Sequence, residues 1–179
     1  MADIPLKLKS LNDYSSYPDV VEDGRTFEEN ARKKAQAYFN FSGIPVFADD
    51  SGLVVPVLNN EPGVFSARYA GEHANYNENN KLLMSKISNL PADRRTGRFV
   101  CTICYMDGNH EKIITGISEG VVLTELRGRG GFGYDPLFYV PDLGKTFAEL
   151  SMREKNEISH RGRALAEFKR YLKNEILGM

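Results

Sequence analysis

Apolar residues recur along the chain with two different periods, and each period predicts an element. In GRTFEENARKKAQAYF, residues Phe27, Ala31, Ala35, Tyr38 and Phe39 fall on one helical stripe that faces a core. Thr26 stands before that run and Glu29 three residues on, the spacing of a capping box. A second helix spans Asn77 to Leu90, with Leu82, Leu83, Ile87 and Leu90 apolar and Pro91 just beyond its end. A third runs from about His160 to Leu177, with Ala164, Leu165, Phe168, Tyr171, Leu172 and Ile176 on one face. Elsewhere the pattern changes to short apolar runs. Ile4 to Leu11 reads as a strand, and Gly43-Ile44-Pro45-Val46-Phe47-Ala48 reads as a buried one. Arg98 to Met106 and Glu111 to Ser118 flank Asp107-Gly108-Asn109-His110, which predicts a β-hairpin, and Val121 to Leu123 continues the sheet. Helices and strands alternate around a hairpin, so the expected class is α/β with a mixed sheet and flanking helices.

Asp49 and Asp50 stand where the strand ending at Ala48 would leave the sheet, in front of a Ser51-Gly52 turn. Consecutive side chains on a strand point to opposite sides, so one of the two faces a crevice at the strand end. Two readings fit this pair: side-chain caps of the turn, or a metal or acid/base site.

Charge narrows the partners. Lys plus Arg total 23 against 24 for Asp plus Glu, a net charge of −1, so no global field draws the chain to nucleic acid or to an anionic membrane. Any anion site must therefore be local. No apolar stretch approaches the roughly 20 residues of a membrane span, and the start shows no signal-peptide pattern, so a cytoplasmic protein is expected. A length of 179 residues suits one domain with a full core. Cys101 and Cys104 lie three apart in the apolar run FVCTICYM with no second pair, which favours two reduced core thiols over a redox or zinc motif.

Two further stretches carry candidate chemistry. Arg127 to Asp135 holds Gly128, Gly130, Gly131 and Gly133, a density that lets backbone approach a ligand and leaves Phe132 and Tyr134 as aromatic platforms. A tight loop with core aromatics is the bland alternative. SMREKNEISHRGRA gathers Arg153, Lys155, His160, Arg161 and Arg163, and the first helix adds Arg32, Lys33 and Lys34. Such runs are usually solvated faces. With a carboxylate pair beside them, they also suit a phosphate-rich ligand bridged by a divalent cation.

TFEENARKKA, FADDSGL, PGVFSARYAG, GRGGFGYDPLF, KTFAEL and EKNEISHRGRA, in this order and spacing from about residue 18 to the end, resemble the Ham1/inosine triphosphatase family of non-canonical purine nucleoside triphosphate pyrophosphatases. The resemblance implies an elongated mixed α/β fold with two lobes around a nucleotide cleft. It also implies a homodimer and Mg²⁺-dependent hydrolysis of ITP, dITP and XTP to the monophosphate and pyrophosphate. Asp50 matches the catalytic aspartate that ligates the metal or orients water, Ser51 lies at the substrate, and Asp49 becomes a support. Lys34 and Lys155 match phosphate contacts. Phe132, Gly133, Tyr134 and Asp135 match the base pocket, with Phe132 the stacking partner, and His160 and Arg161 match the groups that recognise the purine 6-oxo atom. Glu22, in Val20-Val21-Glu22-Asp23-Gly24, stands where the family has a second metal ligand. Arg68 lies near the same site without an assigned role.

The chain departs from the family at its start. The family opens with a strand ending in a Ser/Thr-x-Asn-x-x-Lys phosphate turn, and Ser10-Leu11-Asn12 has no Lys three residues on. The expectation is one Ham1-like domain over residues 1–179 lacking the N-terminal strand. An alternative reading is a non-catalytic purine-nucleotide binder that has lost part of the triphosphate grip.

Overall fold

The computed structural model describes residues 4–178. Helix α1 spans Phe27–Ser42, and Thr26 Oγ1 caps it by accepting from the Glu29 N–H at 3.1 Å. The Glu29 carboxylate closes the turn one residue earlier than a capping box requires, on the Arg25 N–H at 2.5 Å. Gly43 ends the helix in the left-handed region at φ 65°, where a residue without Cβ meets no penalty. Strand β1 follows at Val46–Val54, then the 3₁₀ turn Gly63–Arg68 and helix α2, Tyr76–Ile87. The strands β2 (Thr96–Met106) and β3 (Glu111–Val122) form the expected hairpin, and the short β4 (Phe138–Val140) and β5 (Lys145–Thr146) complete the sheet. Helices α3 (Met152–Ile158) and α4 (His160–Tyr171) close the chain, with a π turn at Leu172–Ile176.

The α/β class with flanking helices stands, and three details of the expectation are corrected. The sheet order is β1-β2-β3-β4-β5 with every pairing antiparallel, so the sheet of the described residues is not mixed. Ile4 to Leu11 forms no strand; Leu6 and Leu8 are exposed, and the segment finds no ladder partner for its backbone. The third correction is to β1, which does not end at Ala48. Asp49, Asp50, Ser51 and Gly52 pair with Ile103, Thr102, Cys101 and Val100, so the expected Ser-Gly turn is a mid-strand segment. Pairing over nine residues with β2 outweighs the poor strand propensity of Asp and Gly, because that propensity mostly reflects packing context.

Alternation along β1 and β2 then divides the core. Cys101, Ile103 and Tyr105 pack with Phe168 and Leu172 under α4, while Ala48, Cys104 and Met106 pack with Ala31 and Ala35 under α1. The two thiols are free, buried and on opposite faces, as three-residue spacing on a strand dictates. Beyond them, Leu53, Val55, Phe99 and Val122 join Leu83 and Ile87 of α2 in a separate cluster at the other end of the hairpin. Three apolar clusters strung along one pair of long strands give the molecule its two ends, one built on α1 and α4, the other on α2.

Helix α4 lies unusually close to β3. A Cβ on Gly116 would sit 2.1 Å from the His160 carbonyl oxygen and 2.5 Å from the Ala164 nitrogen, both backbone atoms. Gly116→Ala therefore forces α4 off the sheet, a loss of about 1–3 kcal/mol. The thermal midpoint falls by roughly 2–4 °C for each kcal/mol lost; an unchanged midpoint would show that α4 yields without cost.

Candidate active site

Strand β1 presents its two aspartates to opposite sides of the sheet. Asp50 points toward α1, where Asn30 Nδ2 donates to Oδ2 at 2.9 Å and the Ser51 N–H to Oδ1 at 3.0 Å. Asn30 is itself held, accepting the Gly24 N–H on Oδ1 at 2.7 Å, and is almost fully buried. The Lys34 ammonium lies 2.6 Å from Glu22 and 3.9 Å from Asp50, so one cation bridges two carboxylates. Burial raises the Asp50 carboxyl above the ordinary carboxylate value, assisted by the charge of Glu22 and opposed by Asn30 and Lys34. Arg68 donates to the Glu22 carbonyl at 2.7 Å and lies over the Phe65 ring, so its place is to hold the Glu22 segment.

Asp49 faces the other way. Its Oδ2 accepts from Arg161 Nη2 at 2.9 Å and Nε at 3.2 Å and from Ser51 Oγ at 3.0 Å. Burial acts to raise this carboxyl too, but the charge and hydrogen bonds of Arg161, the Ser51 hydroxyl and the charge of Lys34 outweigh it and hold Asp49 below its ordinary value. The Cys101 thiol approaches the same oxygen at 3.6 Å and is pushed by burial up to about 12, so it stays protonated. Adjacent residues of like type thus titrate in opposite directions, because one gains a guanidinium and the other an amide and a distant ammonium.

Arg161 leads into a pocket of about 140 Å³ lined by Ser51, Ser66, Phe132, Tyr134, Asp135 and His160, among others. Its aromatic loop is shaped by a carboxylate: Asp135, 2% exposed, accepts the Phe132 N–H at 2.8 Å and pairs with the Lys155 ammonium. Gly131 permits this, since at φ +72° a Cβ there would lie 2.0 Å from Asp135 Oδ2. Phe132 is left half exposed, with the Lys155 ammonium 4.6 Å from its ring centre. His160 forms the floor, stacked on Phe99 at 4.7 Å and 12°. Burial, with the charges of Arg161 and Lys155, drives His160 down to about 3, so the ring is neutral near pH 7. Its Nδ1 is buried with no hydrogen-bond partner among the described residues.

The structure therefore sorts the residues singled out in the sequence into two groups. Glu22, Lys34 and Asp50 gather on the α1 face; Ser51, Phe132, Gly133, Tyr134, Asp135, Lys155, His160 and Arg161 gather around the pocket on the α4 face. Lys155, expected at a phosphate, stands with the aromatic ring. A groove of about 470 Å³ between the segment Lys7 to Leu11, α1 and the first half of β1 reaches both Lys34 and Asp49. Sequence reasoning passed over Asn30, Phe99 and the Asp49–Arg161 pair. Asn30 was visible as the polar residue inside the TFEEN start of α1, but a pairing across 112 residues such as Asp49–Arg161 has no local signal. The described residues contain no group of three or more His, Cys, Asp or Glu side chains placed to hold a metal. Asp50 and Glu22 nonetheless both reach one cation, Lys34, and two such carboxylates fit the partial shell that a Mg²⁺ ion takes when waters and phosphates supply the rest.

Fold and site define an α/β protein with a carboxylate–ammonium cluster on one face of its edge strand and an aromatic pocket with hydrogen-bonding groups on the other. The chain belongs to the Ham1 family, whose model matches residues 1–171. It is 51% identical over 170 residues to the dITP/XTP pyrophosphatase of Geobacter sulfurreducens, covering 94% of this chain and 85% of that one. The dITP/XTP pyrophosphatase of Clostridium perfringens is 48% identical over 180 residues, with 97% and 88% covered. Among solved structures, a HAM1 protein from Coxiella burnetii superposes with a TM-score of 0.91 at 41% identity, covering 97% of this chain and 89% of that chain. The Ham1 protein of Staphylococcus aureus gives 0.84 at 44%, with 88% and 81% covered. Among the described residues no helix is long and apolar enough to cross a membrane.

Opposite pKa directions predict opposite stability effects. The depressed Asp49 pKa contributes stability that is present above the ordinary carboxylate range, near 3.9, and is lost as pH falls through the depressed folded value. The raised Asp50 pKa favours folding while the group is neutral, and that contribution is lost as pH rises through the raised folded value. Asp49→Asn thus lowers the thermal midpoint at pH 7 and has less effect near pH 3, whereas Asp50→Asn raises it at pH 7 and gains nothing near pH 3. Thermal melts of both variants across that range check the pair of signs; two variants that behave alike contradict the assignment.

Proposed function

We propose that the chain is a nucleoside triphosphate pyrophosphatase that converts dITP, ITP and XTP to the monophosphate and pyrophosphate, clearing deaminated purines from the nucleotide pool. The observation that carries this reading is the division of one strand, with Asp50 and Lys34 on the face toward α1 and Ser51 and Asp49-held Arg161 on the face toward the aromatic pocket. A ligand with an anionic end and a flat ring matches that division. Names carried by relatives that share about half their residues with this chain support the same substrate class.

In this reading water forms a bond to the α-phosphorus as the bond to the bridging oxygen breaks, and pyrophosphate leaves with the electron pair. Asp50 orients the water and takes its proton, a task helped by a carboxyl raised toward the working pH. Asn30 keeps Asp50 in place through its 2.9 Å bond. Lys34 supplies positive charge to the phosphates as charge builds on the leaving group. Asp50 and Glu22 would hold a Mg²⁺ ion, which when bound neutralises phosphate charge and positions oxygen ligands. At the other end the purine stacks on Phe132, and Arg161 and neutral His160 meet the 6-oxo atom by hydrogen bonding. Adenine, with a 6-amino group, leaves donors of the site facing a donor, which is the stronger form of discrimination. The protein acts in the cytoplasm as a homodimer, without nucleic acid or membrane partners.

Pyrophosphate release from dITP with Mg²⁺ tests the reading directly. Asp50→Asn lowers kcat on the order of 10³-fold or more while nucleotide binding persists, and the wild type prefers dITP over dATP by a factor on the order of 10⁴ in kcat/KM. Binding of dITP without release of pyrophosphate by the wild type would overturn the enzymatic reading, and equal turnover of dITP and dATP would overturn the base assignment.

A further inference from the structure

Two adjacent asparagines on α2, Asn79 and Asn80, are almost wholly buried, at 2% and 3% exposure. Asn79 reaches the wall of the aromatic pocket and Asn80 lies behind it, and neither has a role assigned above. Asn79 Nδ2 donates to the Ala67 carbonyl at 3.0 Å, and its Oδ1 accepts the Ala70 N–H at 2.8 Å, so it grips the segment at the end of the 3₁₀ turn. Asn80 Nδ2 donates at 3.0 Å to the carbonyl of Gly133, the residue between the two aromatics of the pocket loop. The third side is closed by Tyr134, whose hydroxyl donates to the Ser66 carbonyl at 2.9 Å. Helix α2, the 66–70 segment and the 132–134 loop are therefore joined pairwise by side chain to backbone bonds. Ser66, Ala67, Phe132, Gly133 and Tyr134 on those segments all line the cavity.

The Asn80 bond is held at a local cost. Its Oδ1 is buried with no hydrogen-bond partner among the described residues, and an orphaned buried carbonyl loses its hydration without compensation. An apolar side chain of similar size would avoid that penalty, and Gly133, only partly buried, could give its carbonyl to water. A residue selected for packing alone would be better served by leucine. What only the amide supplies is a fixed donor to the loop that carries Phe132.

We propose that Asn80, seconded by Asn79, is a positioning residue that sets the width of the aromatic pocket and so governs binding of the purine ring, without acting on the phosphates. The inference rests on the base-pocket reading given above. In Asn80→Leu and Asn80→Ala the loop loses its tie to α2, and the groups on the α1 face are untouched.

The experiment measures steady-state hydrolysis of ITP, inosine 5′-monophosphate binding, inhibition by inorganic tripolyphosphate and the thermal midpoint, for wild type and both variants. The expected result is a rise of about tenfold in KM for ITP with kcat within about twofold. Monophosphate affinity falls in parallel, tripolyphosphate inhibition is unchanged, and Asn80→Leu melts no lower than wild type. Folded variants with wild-type KM and monophosphate affinity overturn the proposal. So does weakening of tripolyphosphate in step with the monophosphate, which marks general damage, and so does failure of both variants to fold. A wild type that binds tripolyphosphate but neither ITP nor the monophosphate overturns the base-pocket reading itself, and the clasp with it.

Discussion

Antiparallel pairing of β1 with β2 is the constraint on which the rest of the molecule depends. It holds Val46 to Val54 extended in register with Arg98 to Met106, and a strand so held must send Asp49 and Asp50 to opposite sides. The contacts of both aspartates follow from that division. Asp50 meets Asn30 and Lys34 of α1, and Asp49 meets Arg161 of α4. A slip of one residue would exchange the faces and place both carboxylates against the wrong helix. The same register seats Ala48 and Cys104 beneath α1 and Cys101 and Ile103 beneath α4, so the apolar core and the polar site enforce one alignment.

Electrostatics then differentiates two chemically identical groups. Asp49 is partly desolvated but faces a guanidinium at two nitrogens, the arrangement in which a carboxylate is held charged. Asp50 is partly desolvated beside a neutral amide, an ammonium at 3.9 Å that is nearer to Glu22, and the charge of Glu22 itself. One carboxylate is held charged by its guanidinium, and the other is raised by burial that its amide and ammonium do not offset. A carboxyl raised by burial without a full counter-charge is common at functional sites, which makes Asp50 the candidate of the pair.

The pocket shows a related economy of parts. Asp135 shapes the Phe132 turn, neutralises Lys155 and is almost entirely buried, so the exposed face of Phe132 is presented by a loop fixed from below. His160 is fixed by stacking on Phe99 and by its position at the start of α4, which Gly116 lets approach β3 at backbone distance. Rigid placement of a few polar atoms in an aromatic pocket is what permits recognition by hydrogen bonding with little reorganisation.

Much of this was legible in the sequence. The stripe from Phe27 to Phe39, the Thr26 cap, the Asp107-Gly108 hairpin and the apolar face of α4 are local signals, decided by side chains within a few residues of one another, and they appear as predicted. Family strings placed Asp50, Phe132, His160 and Arg161 as candidates because the residue types and spacings stand in the chain itself. Tertiary structure decided the remainder. Only the partner strand could show that Asp49 to Gly52 continues β1 instead of turning, since the pairing energy lies in residues some fifty positions away. Only packing could reveal that Ile4 to Leu11 lacks a ladder, that Lys155 lies on Phe132, and that Asn30, Asn79 and Asn80 are buried ties and not surface amides. The physical reason is the range of the interaction: periodicity and caps act within a turn or two of chain, whereas the face, charge and partner of each site residue are set by contacts that exist only once distant segments meet.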